Sequence, residues 1–280
     1  MPSQKDLFDK IQKIYSDNPQ RLNIIEEQID IEIQMNYFKR SAMLKKHVVE
    51  LEDVLAKVPL LYDVDARLEE KRDILIQLAS IEDVDTFRFL EKYKNEATGE
   101  IKLWASMAYR ESKMLIESSL LDDENDQILI STGLGGKGTS LRYFICLVHK
   151  NEDPFTEVQE QIIKNEFDSS TEKYGSVIES FSVENHLVKT FLLVPINVPI
   201  KNVVADVIEA GEELGNFLDD HTIITNVRAL SNEEIEEVIH GKYHEDEILG
   251  LDDIDGIPFA GLDDYDYDED EEGEDDDEDL

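Results

Sequence analysis

The charge imbalance at the C-terminal end of the chain most restricts what this sequence can fold into. Residues 245–280 contain 20 acidic residues and no Lys or Arg. From residue 268 onward, only Gly273 and Leu280 are not acidic. A run with this much self-repulsion and so little apolar surface cannot form a core alone. We therefore predict a disordered acidic tail over residues 241–280 and expect the folded part of the chain to precede it.

The composition of the whole chain excludes several classes of protein. Of the 280 residues, 41% are hydrophobic, which is enough to bury a sizeable core. The sequence has no run of 18 apolar residues and no signal-peptide pattern, so we expect no membrane association. With a net charge of −39, direct binding to nucleic acid is not expected, and basic proteins are the natural partners. The single cysteine, Cys146, excludes an intrachain disulfide and fits a reducing cytoplasm.

Residues 1–121 are poor in Gly and Pro and have helical periodicity, which predicts an all-helical domain. Apolar residues recur at helical spacing from Leu22 to Leu55, so residues 20–58 are expected to form one long helix or two broken ones. Three shorter helices are predicted over residues 67–79, 84–94 and 101–119. The stretch from residue 74 to 121, whose last predicted helix contains IKLWASMAYRESKMLI, resembles a HEAT-like helical repeat. That resemblance implies a helical scaffold that presents a surface to a partner.

Residues 141–240 predict a second domain of mixed α+β class. Apolar and amphipathic stretches follow in the order strand, helix, strand, strand, helix, strand, and the last strand is expected over residues 221–230. The order over residues 141–230 resembles the ferredoxin-like, or split βαβ, fold. The first and third strands, LRYFICLV and VKTFLLV, are apolar on both faces, as central strands covered on both sides should be. We expect the N-terminal helices to cover the open face of the sheet.

A Gly-rich connection over residues 122–140 joins the two predicted domains. Residues 127–130 look like an extra strand, which we expect to pair only partly with the next strand or to lie elsewhere. The glycines at 133, 135 and 138 fit G-x-G-x-x-G, but a strand follows where a dinucleotide fingerprint needs a helix. We interpret the loop mainly as a connection. A small-ligand or nucleotide site over residues 133–138, in a sensor or an enzyme, stays open as an alternative.

The tail carries the strongest functional signal because it is partly apolar. Spaced aliphatic and aromatic residues precede the final acidic run, and a segment serving only solubility would not need them. This half can dock in a groove while its acidic flanks steer it to a basic surface. The predicted partner-binding residues are Ile254, Ile257, Phe259, Leu262, Tyr265 and Tyr267.

Basic residues cluster once, in the predicted long helix, and two further ones lie beside the glycine-rich loop. Four lie within residues 39–46, where they are expected to form a solvated helix face paired to Glu26, Glu27 or Glu50, or to contact an acidic partner or the tail. Two flank the glycines. The candidate anion or tail contacts are Lys39, Arg40, Lys45, Lys46, Lys137 and Arg142.

No catalytic or metal site is predicted. His240 and His244 are four residues apart, but Gly241 between them indicates that the helix has ended, so we expect a solvated helix end. Cys146 lies in the most apolar strand and is expected to be inert. We predict no cofactor and no catalytic residue.

The sequence therefore predicts a non-catalytic cytoplasmic adaptor or regulator that captures a basic protein through its tail. A ribosomal, nucleoid or nucleic-acid-binding protein is the expected kind of partner. An autoinhibitory tail, covering the basic residues until a partner displaces it, is the first alternative. Edge strands and the long helix leave homo-oligomers open.

Overall fold

The computed structural model describes residues 18–47, 49–121, 128–219, 222–241 and 259–261, together with Lys13, Tyr15 and Ser16. Its helices are α1 (Ile31–Leu44), α2 (Leu51–Leu55), α3 (Leu68–Ala79), α4 (Val84–Glu96), α5 (Glu100–Leu121), α6 (Glu157–Tyr174), α7 (Ile200–Glu213) and α8 (Asn232–Ile239). Its strands are β1 (Leu22–Ile24), β2 (Ile128–Ile130), β3 (Gly136–Lys137), β4 (Ser140–Val148), β5 (Val177–Glu184), β6 (Leu187–Pro195), β7 (Ile223–Thr225) and β8 (Phe259–Gly261). The predicted fold class, α+β, is confirmed.

The larger sheet is built around β4. This strand pairs antiparallel with β6 along its whole length, from Ser140 opposite Pro195 to Val148 opposite Leu187. β5 lies on the far side of β6, while β7 and the two-residue β3 share the other edge of β4. The order β7-β4-β6-β5 is that of a split βαβ unit, with the two most apolar strands in the centre as predicted.

Both faces of the central strand β4 are buried, but one is covered by an element we did not expect there. Ile145 and Leu147 of β4 pack in one core with residues of α6 and α7. Phe144 and Cys146 face the other way and pack with Ile235 of α8, so the expectation that the N-terminal helices cover this face is wrong. The physical reason is proximity. α8 begins seven residues after β7 ends, and its apolar stripe folds directly back onto the sheet.

The strand expected over residues 221–230 is also shorter than predicted. Among residues 222–230, which the structure describes, only Ile223–Thr225 pair with β4, opposite residues 144–146. The chain then leaves the sheet, because Ser231 caps α8 through a capping box with Glu234.

Helices α1, α3, α4 and α5 enclose a second core, in which Tyr37, Leu75, Leu90 and Trp104 are almost fully buried. The predicted start of α4 is confirmed, because the Asp83 carboxylate accepts hydrogen bonds from the backbone N–H groups of the first turn. The predicted boundaries of the two domains stay predictions.

A small three-stranded sheet, in the order β1-β2-β8, corrects the sequence analysis at one place and agrees with it at another. The prediction of one long helix or two broken ones over residues 20–58 is wrong at its start, because Leu22–Ile24 form β1, parallel to β2, whereas the rest of the stretch contains the two separate helices α1 and α2. Helical spacing of the apolar residues is outweighed there by pairing with a strand more than 100 residues away. Residues 128–130 do form a strand, and as expected it lies away from β4.

Candidate protein-binding site

Part of the acidic C-terminal segment is held on the folded body by backbone pairing. β8 lies antiparallel to β2, with Phe259 opposite Ile130, Ala260 opposite Leu129 and Gly261 opposite Ile128. Of the six predicted partner-binding residues, Phe259 thus lies in a strand of the chain's own sheet. The other five are outside the described residues, as is most of the predicted tail: Ile254, Ile257, Leu262, Tyr265 and Tyr267.

The strand that receives β8 is a firmly held part of the structure. Ile128 and Ile130 pack in a cluster with Leu22 and Ile24 of β1, while Leu129 faces the core of the N-terminal helices. All three residues of β2 are at most 6% exposed. β8 therefore pairs with a strand that is itself packed in two cores.

Two acidic segments are connected to the same end of this small sheet. Gly261 pairs with Ile128, so residues 262–280, with 14 acids, continue from the end at which residues 122–127, with four acids, lead into β2. Neither segment contains Lys or Arg. Such a concentration of one charge sign attracts cations over about 10 Å at moderate ionic strength.

The first basic cluster divides into engaged and free cations. Arg40 forms a bidentate ion pair with Asp73 of α3, in which Nη2 lies 2.9 Å from Oδ2. The hydrogen bonds to Asp73 raise the pKa of Arg40. Lys45 forms an ion pair with Glu111 of α5. The expected partners Glu26, Glu27 and Glu50 do not fill this role. Lys39 and Lys46 are exposed, and none of the ion pairs among the described residues involves them.

Glu111 is a buried carboxylate that the sequence analysis missed. Its Oε2 accepts a hydrogen bond from the Tyr37 hydroxyl at 2.5 Å, and its Oε1 accepts one from the Ser41 hydroxyl at 3.0 Å. Burial, and then the neighbouring carboxylate, raise the pKa of Tyr37 well above its usual range. With Lys45 as its counterion, Glu111 locks α1 onto α5. Sequence spacing within one helix cannot reveal a network that depends on two helices meeting.

The second basic pair is split in the same way. Arg142 donates from Nη2 to Oε1 of Glu179 at 3.0 Å and from Nη1 to the carbonyl oxygen of Leu134 at 2.7 Å. The hydrogen bonds between Arg142 and Glu179 raise the pKa of Arg142 and lower that of Glu179. Lys137 is exposed beside this pair.

The glycine-rich loop is used for packing. Residues 131–136 are buried, and a Cβ on Gly133 would lie 1.8 Å from the carbonyl oxygen of Val227. A Cβ on Gly135 would lie 2.5 Å from the carbonyl oxygens of Glu26 and Glu27. The loop therefore packs tightly between the segment after β1 and the segment after β7, and we call this packing the wedge. Its glycines permit this close backbone approach, and the same backbone leaves no open cradle for a phosphate in the buried part of the loop.

The cysteine and histidine residues considered as candidate sites do not form a reactive or metal-binding group among the described residues. Burial of Cys146 raises the pKa of its thiol to about 12, so the thiol stays protonated and unreactive at neutral pH. His240 ends α8, and Gly241 follows with φ of 63°; His244 is outside the described residues. No cluster of three metal-ligating side chains occurs in the part of the chain that the structure describes. Within the same residues, no helix is long and apolar enough to cross a membrane.

Comparison with known proteins gives little further guidance. No protein-family model matches the chain, and none of the curated proteins does. Among solved structures, a crystal structure described as that of "a putative transposase" from Deinococcus radiodurans R1 is similar with a TM-score of 0.31 and 12% identity. The similarity covers 37% of this chain and 92% of that chain. A TM-score this low does not establish a shared fold.

Proposed function

We propose that this protein is a non-catalytic cytoplasmic adaptor or regulator that captures a basic protein through its acidic, partly apolar C-terminal segment. One observation carries the proposal. Residues 245–280 hold 20 acids without a single Lys or Arg, and part of this segment is attached to the edge of β2. The attachment presents the acidic run from a fixed point on the folded body.

The proposed mechanism has a long-range and a short-range component. The acidic run attracts a lysine- and arginine-rich surface and raises the rate of encounter. The apolar residues of the segment then bury surface on the partner, which makes the complex more specific than charge alone would. A partner that normally binds nucleic acid, such as a ribosomal or nucleoid protein, is the kind we propose, because its surface already accommodates phosphate.

The alternative of a small-ligand site in the glycine-rich loop receives no support from the geometry. The buried loop contacts backbone from both neighbouring segments, and Arg142 is already paired with Glu179. The alternative of an autoinhibitory tail does have structural support, because β8 shows that the segment can bind its own chain.

The test is affinity capture from a cytoplasmic lysate with three forms of the protein. These are the full chain, a form ending at residue 244, and a full-length form in which the Asp and Glu of residues 262–280 are changed to Asn and Gln. We expect a basic protein to be captured by the full chain and lost from both altered forms. Equal capture by all three forms would refute the proposal, and loss only from the truncated form would refute its electrostatic part.

A further inference from the structure

Helix α1 exposes a stripe of alternating methionine and lysine. Met35 is 66% exposed and Met43 is 61% exposed, although both are large apolar side chains. Lys39 lies between them, and Lys46 follows one turn after Met43 just past the helix end; both are exposed. At 100° per residue these four positions fall within about 80° of arc. We refer to Met35, Lys39, Met43 and Lys46 as the α1 stripe.

The stripe is the unpartnered side of an otherwise well-anchored helix. The opposite side of α1 buries Gln34, Tyr37 and Ser41 against the rest of the fold. On flanking positions, Arg40 and Lys45 are held by ion pairs with other helices, whereas no described carboxylate pairs with Lys39 or Lys46. Long apolar side chains with free ammonium groups between them form a surface that suits an acidic segment carrying its own apolar residues.

The chain itself contains such a segment close by. Residues 262–280 contain 14 acids together with Leu262, Tyr265 and Tyr267. Their start is fixed, because β8 ends at Gly261 opposite Ile128 of β2. β2 and α1 belong to the same packed unit: Leu129 lies in one core with Tyr37, and the Gln34 amide donates to the carbonyl oxygen of Thr132 at 3.1 Å.

The length of the segment is sufficient to reach the stripe. Nineteen residues span up to about 60 Å when extended, while the 14 residues of α1 measure about 21 Å. We propose that residues 262–280 dock on the α1 stripe of the same molecule, with acidic side chains on Lys39 and Lys46 and apolar side chains on Met35 and Met43. The docked segment is withheld from a basic partner, which must displace it. This inference deepens the proposed function, since it concerns regulation of the same acidic segment.

Paramagnetic relaxation enhancement in the full-length protein tests the docking directly. Because Cys146 is fully buried, a thiol-reactive spin label should attach only to the new cysteine of the variant Gly273→Cys. At about 20 mM salt we expect the label to broaden amide signals of α1, and at about 500 mM salt the broadening should decrease strongly. The variant Lys39→Glu/Lys46→Glu should abolish the broadening. The matched control Lys57→Glu/Lys102→Glu has the same charge change at two exposed lysines elsewhere and should retain it.

Three results would overturn the docking proposal. These are the absence of broadening on α1 at low salt, its persistence in Lys39→Glu/Lys46→Glu, and broadening of α1 in a mixture of spin-labelled molecules with unlabelled, isotope-enriched ones, which would assign the stripe to a second copy. Hydrogen exchange of the backbone amides, measured peptide by peptide, should be the same in the variants as in the wild type. This control separates loss of docking from misfolding.

A binding measurement separates this proposal from the proposed function. If the docked state is the major one, Lys39→Glu/Lys46→Glu should bind the captured basic protein about 3- to 10-fold more tightly than wild type, because the competent fraction increases. Unchanged affinity would contradict docking while leaving tail-dependent capture intact. Capture that does not depend on the tail, together with broadening on α1, would contradict the proposed function while leaving the docking intact.

Discussion

Replacing Gly133 by alanine tests whether the glycine-rich loop is a structural wedge. The added Cβ would lie 1.8 Å from the carbonyl oxygen of Val227 and 2.7 Å from its carbonyl carbon. Both are backbone atoms, so no side chain can rotate away. The two segments must separate by more than about 1 Å to restore ordinary contact.

The cost follows from what the separation breaks. Two backbone hydrogen bonds are made at this point: Leu134 N–H donates to the carbonyl oxygen of Asn226 at 2.9 Å, and Ile29 N–H donates to the carbonyl oxygen of Gly133 at 3.2 Å. Each contributes about 0.5–1.5 kcal/mol, and overpacking a buried site costs about 1–3 kcal/mol. We therefore expect Gly133→Ala to lower the free energy of unfolding by about 2–6 kcal/mol.

Gly138→Ala, in the same loop, is the matched control. Gly138 has φ of +60°, but a Cβ added there would meet nothing within 4 Å, so only the left-handed backbone is penalised, by about 1–2 kcal/mol. Urea unfolding, followed by the fluorescence of the single tryptophan, Trp104, and by circular dichroism, gives both values. A change below about 0.5 kcal/mol for Gly133→Ala, or an equal loss for both variants, would refute the wedge.

Two further predictions concern buried and capping carboxylates. Glu111→Leu leaves the hydroxyls of Tyr37 and Ser41 without their acceptor, so we expect the free energy of unfolding in urea to fall by about 3–5 kcal/mol. The control is Glu117→Leu on the same helix, where the carboxylate makes an exposed i,i+4 pair with Lys113 and the expected loss is less than about 1 kcal/mol. Equal losses for the two variants would contradict the network. The hydrogen bond from Arg228, and then those at the start of α8, lower the pKa of Glu234 from 4.5 to about 2. Glu234 therefore stabilises the fold above pH 4.5 and loses this effect as the pH falls towards 2. The stability difference between wild type and Glu234→Gln should shrink between about pH 6 and about pH 2.5, and a constant difference would contradict the assignment.

The features that the sequence predicts correctly depend on patterns within one element or between neighbouring ones. The continuous apolar runs in LRYFICLV and VKTFLLV identify β4 and β6 as central strands, and the order of elements then places β5 and β7 at the edges. The loop before α4 contains its own capping carboxylate, Asp83, so the start of the helix is visible locally.

The features that escape prediction depend on contacts between distant segments. β1 has helical apolar spacing and becomes a strand only because β2 lies beside it. Glu111 is one of 66 acidic residues, and nothing in the chain order shows that α1 places two hydroxyls and a lysine around it. β8 pairs with a strand about 130 residues earlier, and this partner is not encoded in the local sequence of the tail.

The salt dependence of binding to the captured basic partner tests the central claim most directly. For the full chain, the logarithm of the association constant should fall steeply and linearly with the logarithm of the salt concentration, because several charges are neutralised on binding. The form with neutralised residues 262–280 should bind weakly and with a nearly flat dependence. Equal slopes for the two forms would contradict capture by the acidic segment.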